Sequence, residues 1–339
     1  MEKSLPIIKS VIFGLLFIVF SGFSNFAKAS GQEHEEKEFS ANEVIIEHVL
    51  DDHQWHLTEH LVIPLPIIVY SSKRGLEMFS SSNFFGEHHT LQEYNGYKLE
   101  HRKIYLTASG EQVLDLSITK NVAMLFINAG ILLFVFLSVA KAYKNNSGKA
   151  PKGLQSFIEP IIIFVRDEIV KPNLGHNYQK FLPYLLTLFF FILFGNLLGL
   201  IPGAANLSGN IAVTLVLAVI TFLLTNLNGN AAYWKHIFWT PGVPLPLRLI
   251  ILPVEIIGIF TKPFSLTIRL FVAITAGHIV LLSLVCLTFI FHSWVVGAGV
   301  SVVVLFISLI ELLVAGIQAY VFTLFTSLYI GMATADDHH

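Results

Sequence analysis

Residues 249–290 decide the fold class, and they read LIILPVEIIGIFTKPFSLTIRLFVAITAGHIVLLSLVCLTFI. The charged side chains in this run are Glu255, Lys262 and Arg269. A helix of this length would extend roughly 60 Å at about 1.5 Å per residue, whereas the hydrocarbon core of a bilayer is about 30 Å thick. We therefore expect a membrane helix that is strongly tilted, broken or partly aligned with the membrane surface, with Pro263 as one site for a bend.

The composition of the whole chain is typical of a membrane protein. Its 339 residues are 54% hydrophobic and 13% charged, and six charged residues occur between positions 181 and 335. These values argue against an ordinary cytosolic enzyme, a disordered chain and a nucleic-acid-binding protein. Further apolar runs occupy residues 121–140, 181–201, 211–227 and 294–333. The sequence predicts an all-α polytopic membrane protein with about five membrane helices, of which the last two are long and strongly tilted.

Lysine positions indicate the orientation in the membrane. Cytoplasmic loops carry an excess of Lys and Arg, so the end of the first run should be cytoplasmic. The lysines that follow this run are Lys141, Lys144, Lys149 and Lys152. The mature N-terminus is then outside the cytoplasm and, after five crossings, the C-terminus is inside. Residues 153–171 are amphipathic and are predicted to form a helix on the cytoplasmic surface.

Residues 1–29 have the layout of a secretory signal peptide. Lys3 and Lys9 precede an apolar run at residues 11–20, and Ala27-Lys28-Ala29 provides a small-x-small cleavage site. The alternative is a first transmembrane anchor, for which the run is short. We predict cleavage after Ala29.

Residues 30–120 are predicted to form a small, acidic α+β cap outside the cytoplasm. Their formal net charge is −8. Residues 42–52 have the pattern of a short amphipathic helix, and residues 61–70 and 103–106 have the β-branched and aromatic content of strands. Pro64 and Pro66 would put the first of these strands at a sheet edge.

Histidines in this cap raise the question of a metal site. His53, His56 and His60 would share one face if this segment were helical. No cysteine and no fixed ligand signature accompanies them, so surface or loop histidines are the favoured interpretation and no metal or cofactor is expected. The chain's single cysteine, Cys286, lies in an apolar run, so no intrachain disulfide can form.

Arg269 is the most informative charge in the membrane part. No acidic residue lies three or four positions away on either side, and a guanidinium stays protonated in proteins. Arg269 cannot relay a proton, but it can attract a carboxylate from another helix or another subunit. Glu255 and Lys262, at seven-residue spacings before it, share its helix face, and a structural ion-pair stripe is an alternative interpretation for Lys262.

A histidine and a glutamate complete the set of ionisable groups. His278 lies about half a turn out of phase with Arg269, while Glu311, Gln318 and Tyr329 fall on one face of the last helix. A buried carboxylate and an imidazole can exchange protons near neutral pH. The alternative is a core histidine with its hydrogen bonds satisfied.

Three motifs resemble the a subunit of F-type ATP synthases, the stator channel of the membrane sector. The strongest reads KPFSLTIRLF at residues 262–271, followed by Ala-Gly-His at 276–278. The second reads IQAYVF at 317–322, and the third reads NLLGLIP at 196–202. The resemblance covers about residues 121–333. The region before it is similar only in a loose way to the longer, signal-bearing N-termini of some bacterial members.

The resemblance implies a role for each matching residue. Arg269 matches the family's essential arginine, which faces the rotor ring of c subunits, and Gln318 matches the glutamine across from it. His278 and Glu311 match a pair of polar positions on the proton path. Glu255 matches an acidic position near that path, and Asn196 matches a polar position in an earlier span.

One position departs from the family pattern. Ala273 lies four residues after Arg269, where the family usually has Asn. If that Asn lines the access path, water or protons must be routed differently in this chain.

The resemblance also implies the function and the partners. The chain would be the proton-translocating a subunit of a bacterial plasma-membrane ATP synthase, in contact with the c-subunit ring, the b subunits, the rest of the complex and the lipid bilayer. It would have no catalytic site, no cofactor and no bound nucleotide. A stand-alone ion channel or a secondary transporter is the alternative, and an intramembrane hydrolase is a third class for which no sequence signature exists here.

Overall fold

The computed structural model describes residues 50–58, 61–71, 74–85, 92–100, 102–145, 150–201, 203–239, 244–291 and 293–335. The predicted signal peptide, residues 1–29, lies outside these ranges. So does most of the predicted helix at 42–52, and its described residues, 50–52, are not helical.

The chain divides into two compact units. The first contains the residues up to Ala123 together with Leu198–Ala205 and Leu281–Leu305. The second contains Met124–Leu197, Asn206–Val280 and the residues from Phe306 onward. All strands that the structure describes belong to the first unit.

Short antiparallel strands build the polar part of the first unit. β1 pairs with β2, β5 pairs with β6, and a three-stranded sheet has the order β4-β3-β7. The bounds are β1 Gln54–Thr58, β2 Leu61–Pro64, β3 Pro66–Ser71, β4 Gly75–Ser80, β5 Tyr97–Glu100, β6 Lys103–Leu106 and β7 Leu114–Asp115. The strand predicted at residues 103–106 is confirmed as β6, and the one predicted at 61–70 is divided at Leu65 into β2 and β3.

The edge position predicted from the prolines is wrong for Pro66. It begins β3, which is the central strand of its sheet. A proline is tolerated there because it is the first residue of the strand, where the missing N–H removes no ladder bond. Its carbonyl still accepts a hydrogen bond from the backbone N–H of Ile118 at 3.1 Å. Pro64, by contrast, ends β2, which is an edge strand of a two-stranded sheet.

Alternation along β3 defines two faces of this sheet. Ile67 and Val69 are fully buried and pack in one cluster with Phe84, Tyr97 and Ile104. The residues between them point to the other face because side chains alternate along a strand. We call the part of the chain formed by β1 to β7 the β-domain. Its hydrophobic core lies on one side of this sheet.

His53 and His56 do not lie on a helix, which corrects that part of the metal hypothesis. His56 lies in β1 and His53 directly precedes it, while His60 lies outside the described residues. Buried His53 donates through Nε2 to Asp115 Oδ2 at 2.7 Å. Burial by itself would raise the pKa of Asp115, but hydrogen bonds from His53 and Ser117 bring that pKa below its usual value.

Residues 51–55 tie the β-domain to the start of the first long helix. The Asp51 carboxylate accepts from Thr119 Oγ1 at 2.8 Å and from the backbone N–H of Asn121 at 3.1 Å. This places a negative charge at a helix N-terminus, where unpaired N–H groups and the helix dipole favour it. Further along, the Trp55 indole donates to the carbonyl of Gly203 at 2.7 Å.

Long apolar helices make up the rest of the described chain. They are α1 Lys120–Asn145, α2 Leu154–Phe164, α3 Lys171–Leu174, α4 Tyr178–Gly199, α5 Ile211–Leu227, α6 Ala231–Phe238, α7 Leu245–Phe291 and α8 Trp294–Thr334. Each of the apolar runs identified in the sequence is helical, except that the run at 181–201 leaves the helix after Gly199. α7 continues as an α-helix through both Pro253 and Pro263, so the helix is not broken there.

Within the described residues, four stretches are long and apolar enough to cross a membrane: α1, the run Leu154–Gly199, α7 and α8. A fifth results if α5 and α6, which are bent by 101° at the break between them, form one span. The chain is therefore a multi-pass helical membrane protein.

The helix predicted at residues 153–171 changes its hydrogen-bond pattern along its length. α2 ends at Phe164, a π-helical segment covers Val165–Val170, and α3 follows directly. A short 3₁₀ turn, Gly175–Asn177, then leads into α4. Within the π segment, the Asp167 carboxylate pairs with Arg166 at 2.8 Å and with Lys171 at 2.7 Å.

The core of the second unit lies between α4, the π segment, α7 and α8. Ile169, Leu185, Phe190, Leu266 and Leu270 are among its most completely buried side chains. The last turns of α8 are held by hydrogen bonds: Ser327 Oγ donates to the Ile169 carbonyl at 3.3 Å, and the Ala333 carbonyl accepts from Asn230 N–H at 2.9 Å.

Candidate functional site

A histidine–glutamate pair joins α7 and α8 in the second unit. His278 Nδ1 lies 3.6 Å from Glu311 Oε1, and the side chains are 13% and 3% exposed. The separation is within ion-pair distance but is longer than a normal hydrogen bond. The sequence singled out both residues, and the structure brings them together.

Space beside the Glu311 carboxylate comes from a glycine. A Cβ at Gly277 would lie 3.4 Å from Glu311 Oε1, which is contact distance. That oxygen is buried and accepts no hydrogen bond from the residues that the structure describes. A buried carboxylate oxygen without a donor is costly, so this atom needs a proton, a water molecule or a charged partner.

Asn196 reaches the same helix one turn further along. Its Nδ2 donates to the Ala315 carbonyl at 3.2 Å, four residues after Glu311. Its Oδ1 accepts from Ser208 Oγ. Asn196 is 1% exposed. These two hydrogen bonds therefore hold a buried amide about one helical turn from Glu311. Ser208 comes from the 3₁₀ turn Leu207–Gly209, and no sequence pattern pointed to it.

Arg269 faces an aromatic ring rather than an acid. Its guanidinium carbon lies 4.3 Å from the centre of the Phe325 ring on α8. At this distance the ring face attracts the cation without neutralising its charge. No carboxylate among the described residues forms an ion pair with Arg269, and its side chain is partly exposed. A permanent charge is thus held in place and stays available to an incoming anion.

The contacts between α7 and α8 follow an antiparallel register. Residues with decreasing numbers on α7 contact residues with increasing numbers on α8. His278 lies against Glu311 and Arg269 against Phe325, while Lys262 Nζ lies 5.4 Å from the centre of the Tyr329 ring. The ionisable groups therefore lie at successive levels along one helix pair. The His–Glu pair is at one end of this series, and Lys262 is at the other.

Gln318 lies between these contacts along α8. It follows Glu311 by seven residues and precedes Phe325 by seven, so it belongs to the same helix face. It is partly exposed and makes no hydrogen bond with the described residues. The same seven-residue spacing places Phe325 on this helix face. Nothing in the sequence distinguished it from the many other aromatic residues, so it was not predicted as a site residue.

A polar cluster surrounds Lys262 at the other end of the series. A cavity of about 10 Å³, which is room for about one water molecule, is lined by Thr225, Tyr233, Lys262 and Tyr329, among others. Thr225 Oγ1 is buried and has no partner within the part of the chain that the structure covers. Glu255 lies seven residues before Lys262 on α7, and no ion pair between the two is recorded among the described residues, so the ion-pair interpretation of this stripe stays a prediction.

The fold and the site together define a class: a multi-pass membrane protein with a buried acid–base pair and a fixed cation on adjacent helices. Comparison with known proteins agrees with this class. The family model described as ATP synthase A chain matches residues 122–331. The chain belongs to this family.

A second family model covers the β-domain. It is described as a domain of unknown function (DUF8433) and matches residues 44–125. The strands β1 to β7 and the first turn of α1 all lie within this match. The β-domain is therefore similar to a domain that has a family of its own.

Individual relatives are similar to the membrane part. "ATP synthase subunit a 2" of Chlorobaculum tepidum is 50% identical over 66% of this chain and 66% of its own length. "ATP synthase subunit a 2" of Chlorobium luteolum is 48% identical over 66% of this chain and 67% of its own length. "ATP synthase subunit a" of Anaeromyxobacter sp. is 38% identical over 84% of this chain and 70% of its own length.

Proposed function

We propose that this chain is the proton-translocating a subunit of an ATP synthase, and that it couples proton flow to rotation of a ring of c subunits. The observation that carries the proposal is the buried His278–Glu311 pair, 3.6 Å apart, on the same two helices that hold Arg269 against Phe325. Acid–base exchange and a fixed positive charge are the two chemical functions that such coupling requires.

In this proposal, protons enter from the outside through a half-channel, a polar path that crosses only part of the membrane. Glu311 and His278 line this outer half-channel. Both side chains can take up and release a proton, and they lie 3.6 Å apart on neighbouring helices, so they can act in succession on one proton route. Asn196 supports this route by its bond to the Ala315 carbonyl, one turn from Glu311. Protons arriving here would neutralise a carboxylate on a c subunit, which could then rotate into lipid.

Arg269 would separate this half-channel from the one on the cytoplasmic side. A guanidinium cannot release its proton at physiological pH, so no proton passes through it. It attracts each ionised c-subunit carboxylate and so favours release of the proton on the far side. One charge crossing 100 mV is worth about 2.3 kcal/mol, so several protons per turn could drive ATP synthesis elsewhere in the complex.

The inner release route would start at the cavity beside Lys262. Room for one water and the hydroxyl of Thr225 support this assignment. The Glu255 carboxylate, on the same helix and seven residues before Lys262, would pass protons close to the cytoplasm. In the same proposal the N-terminus lies outside, the C-terminus lies in the cytoplasm, and the helix at 153–171 lies on the cytoplasmic surface of a bacterial plasma membrane.

Copurification tests this function against a stand-alone channel or transporter. Membranes should be solubilised in mild detergent and the chain isolated through an affinity tag, with an untagged strain as control. We expect a c-subunit ring, b subunits and nucleotide-binding catalytic subunits in fixed ratio with the chain. Isolation of the chain alone from intact membranes, in a detergent that preserves other complexes, would instead support the channel or transporter.

A further inference from the structure

The outward face of the β4-β3-β7 sheet carries an apolar patch that the membrane site does not use. The pairing aligns Leu76 with Tyr70 and Tyr70 with Leu114 across the three strands. One row further, Met78 is paired with Ile68, and the backbone N–H of Leu116 donates to the Ile68 carbonyl. We call these six residues the sheet patch: Ile68, Tyr70, Leu76, Met78, Leu114 and Leu116.

Most of the sheet patch is open. Leu76 is 66% exposed, Met78 68%, Leu114 60% and Leu116 54%. Six large apolar side chains on one flat sheet form a surface of several hundred Å², at the upper end of what a monomer leaves in water. The core of the domain lies on the opposite side of the same sheet, so the fold itself does not cover the patch.

Charges in these strands point away from the patch. Glu77 lies between Leu76 and Met78, so alternation directs it to the other face. Asp115 lies between Leu114 and Leu116, and it pairs with His53 on the core side. The domain as a whole is acidic, yet none of the described residues of β3, β4 and β7 that point to this face is charged.

The patch is close to the membrane by chain length alone. Lys120, where α1 begins, is four positions after Leu116, which limits their distance to roughly 14 Å. α1 has 26 residues, so it is about 39 Å long and exceeds the roughly 30 Å hydrocarbon core. The start of α1 is one end of a helix long enough to span the membrane, so it lies at a membrane surface, within reach of the patch.

We propose that the sheet patch rests on the outer surface of the lipid bilayer, with its aliphatic side chains at the boundary between headgroups and acyl chains. Tyr70, near the middle of the patch, has the amphipathic ring that is enriched at this boundary. An uncharged face also avoids the repulsion that the acidic domain would otherwise meet at anionic lipids. The β-domain thereby anchors the outer end of α1 by lying on the membrane as well as by the Asp51 bonds.

Nitroxide labelling of the full chain tests this placement. Cys286 is replaced by Ala, and Met78→Cys is compared with Glu100→Cys, an exposed polar position on β5. The protein is kept in the assembly with which it is isolated and is reconstituted in phosphatidylcholine vesicles. Collisions with oxygen, which partitions into lipid, are measured against collisions with a water-soluble nickel chelate.

We expect the oxygen-to-nickel ratio at Met78 to exceed that at Glu100 several-fold. Equal ratios would mean that the patch faces water and would overturn the proposal. Low accessibility to both reagents at Met78 would mean that a protein covers the patch, which also overturns it. A second label at Leu76→Cys guards against a local effect of the first, because it lies on the same face in the neighbouring row.

Discussion

Replacing Glu311 by Gln is expected to lower the rate of proton-driven ATP synthesis by about 100-fold or more, the range in which loss of a proton-transfer group falls. Gln has nearly the same shape as Glu but cannot take up and release a proton. His278, 3.6 Å away, would then lose its exchange partner. The measurement is ATP synthesis by inverted membrane vesicles energised with a respiratory substrate.

Two comparisons separate proton transfer from folding. Glu311→Asp keeps a carboxyl group on a shorter side chain and should retain part of the activity. The amount of chain in the membrane should stay unchanged in Glu311→Gln, because a neutral amide costs less to bury than a carboxylate. A fully assembled Gln variant with the unaltered rate of synthesis would exclude Glu311 from the proton route.

Replacing Gly331 by Ala is expected to prevent stable folding of the second unit. A Cβ at Gly331 would fall far inside van der Waals contact with the Asn173 carbonyl oxygen, a backbone atom that cannot rotate away. Forced overpacking typically costs about 1–3 kcal/mol and more where the backbone has to move. The measurement is the level of chain in membranes and the temperature at which it aggregates in detergent.

Gly316 offers a matched control on the same helix. A Cβ there meets no atom within 4 Å. Gly316→Ala should therefore be neutral or slightly stabilising, since Ala is favoured over Gly inside a helix by about 1 kcal/mol. Equal behaviour of the two variants would mean that α8 does not approach Asn173 closely.

Hydropathy was sufficient to predict the long apolar helices from the sequence. α5 occupies the residues 211–227 identified as an apolar run, and α8 begins at Trp294, as its run does. Long runs without charge leave the backbone no alternative to a helix in lipid. Helix ends were less predictable: α1 continues to Asn145, past two lysines, because a helix does not have to end where its apolar character ends.

Contacts between helices could not be predicted from local sequence patterns. His278 and Glu311 are 33 positions apart, and nothing in the sequence near either residue indicates the other. The ring that holds Arg269 was missed because Phe325 is one of 29 phenylalanines. In the β-domain, the predictions for Pro66 and for the helix face of His53 and His56 were wrong, since they followed local rules while strand pairing decided the positions of these residues.

Arg269→Ala tests the central claim most directly, because the proposed mechanism assigns one residue the task of keeping the two half-channels apart. The quantity to measure is proton-driven ATP synthesis in membranes that contain the assembled variant, normalised to ATP hydrolysis by the same membranes. We expect synthesis to fall to background while the catalytic subunits still hydrolyse ATP. Synthesis that stays coupled to proton flow in the Ala variant would contradict it.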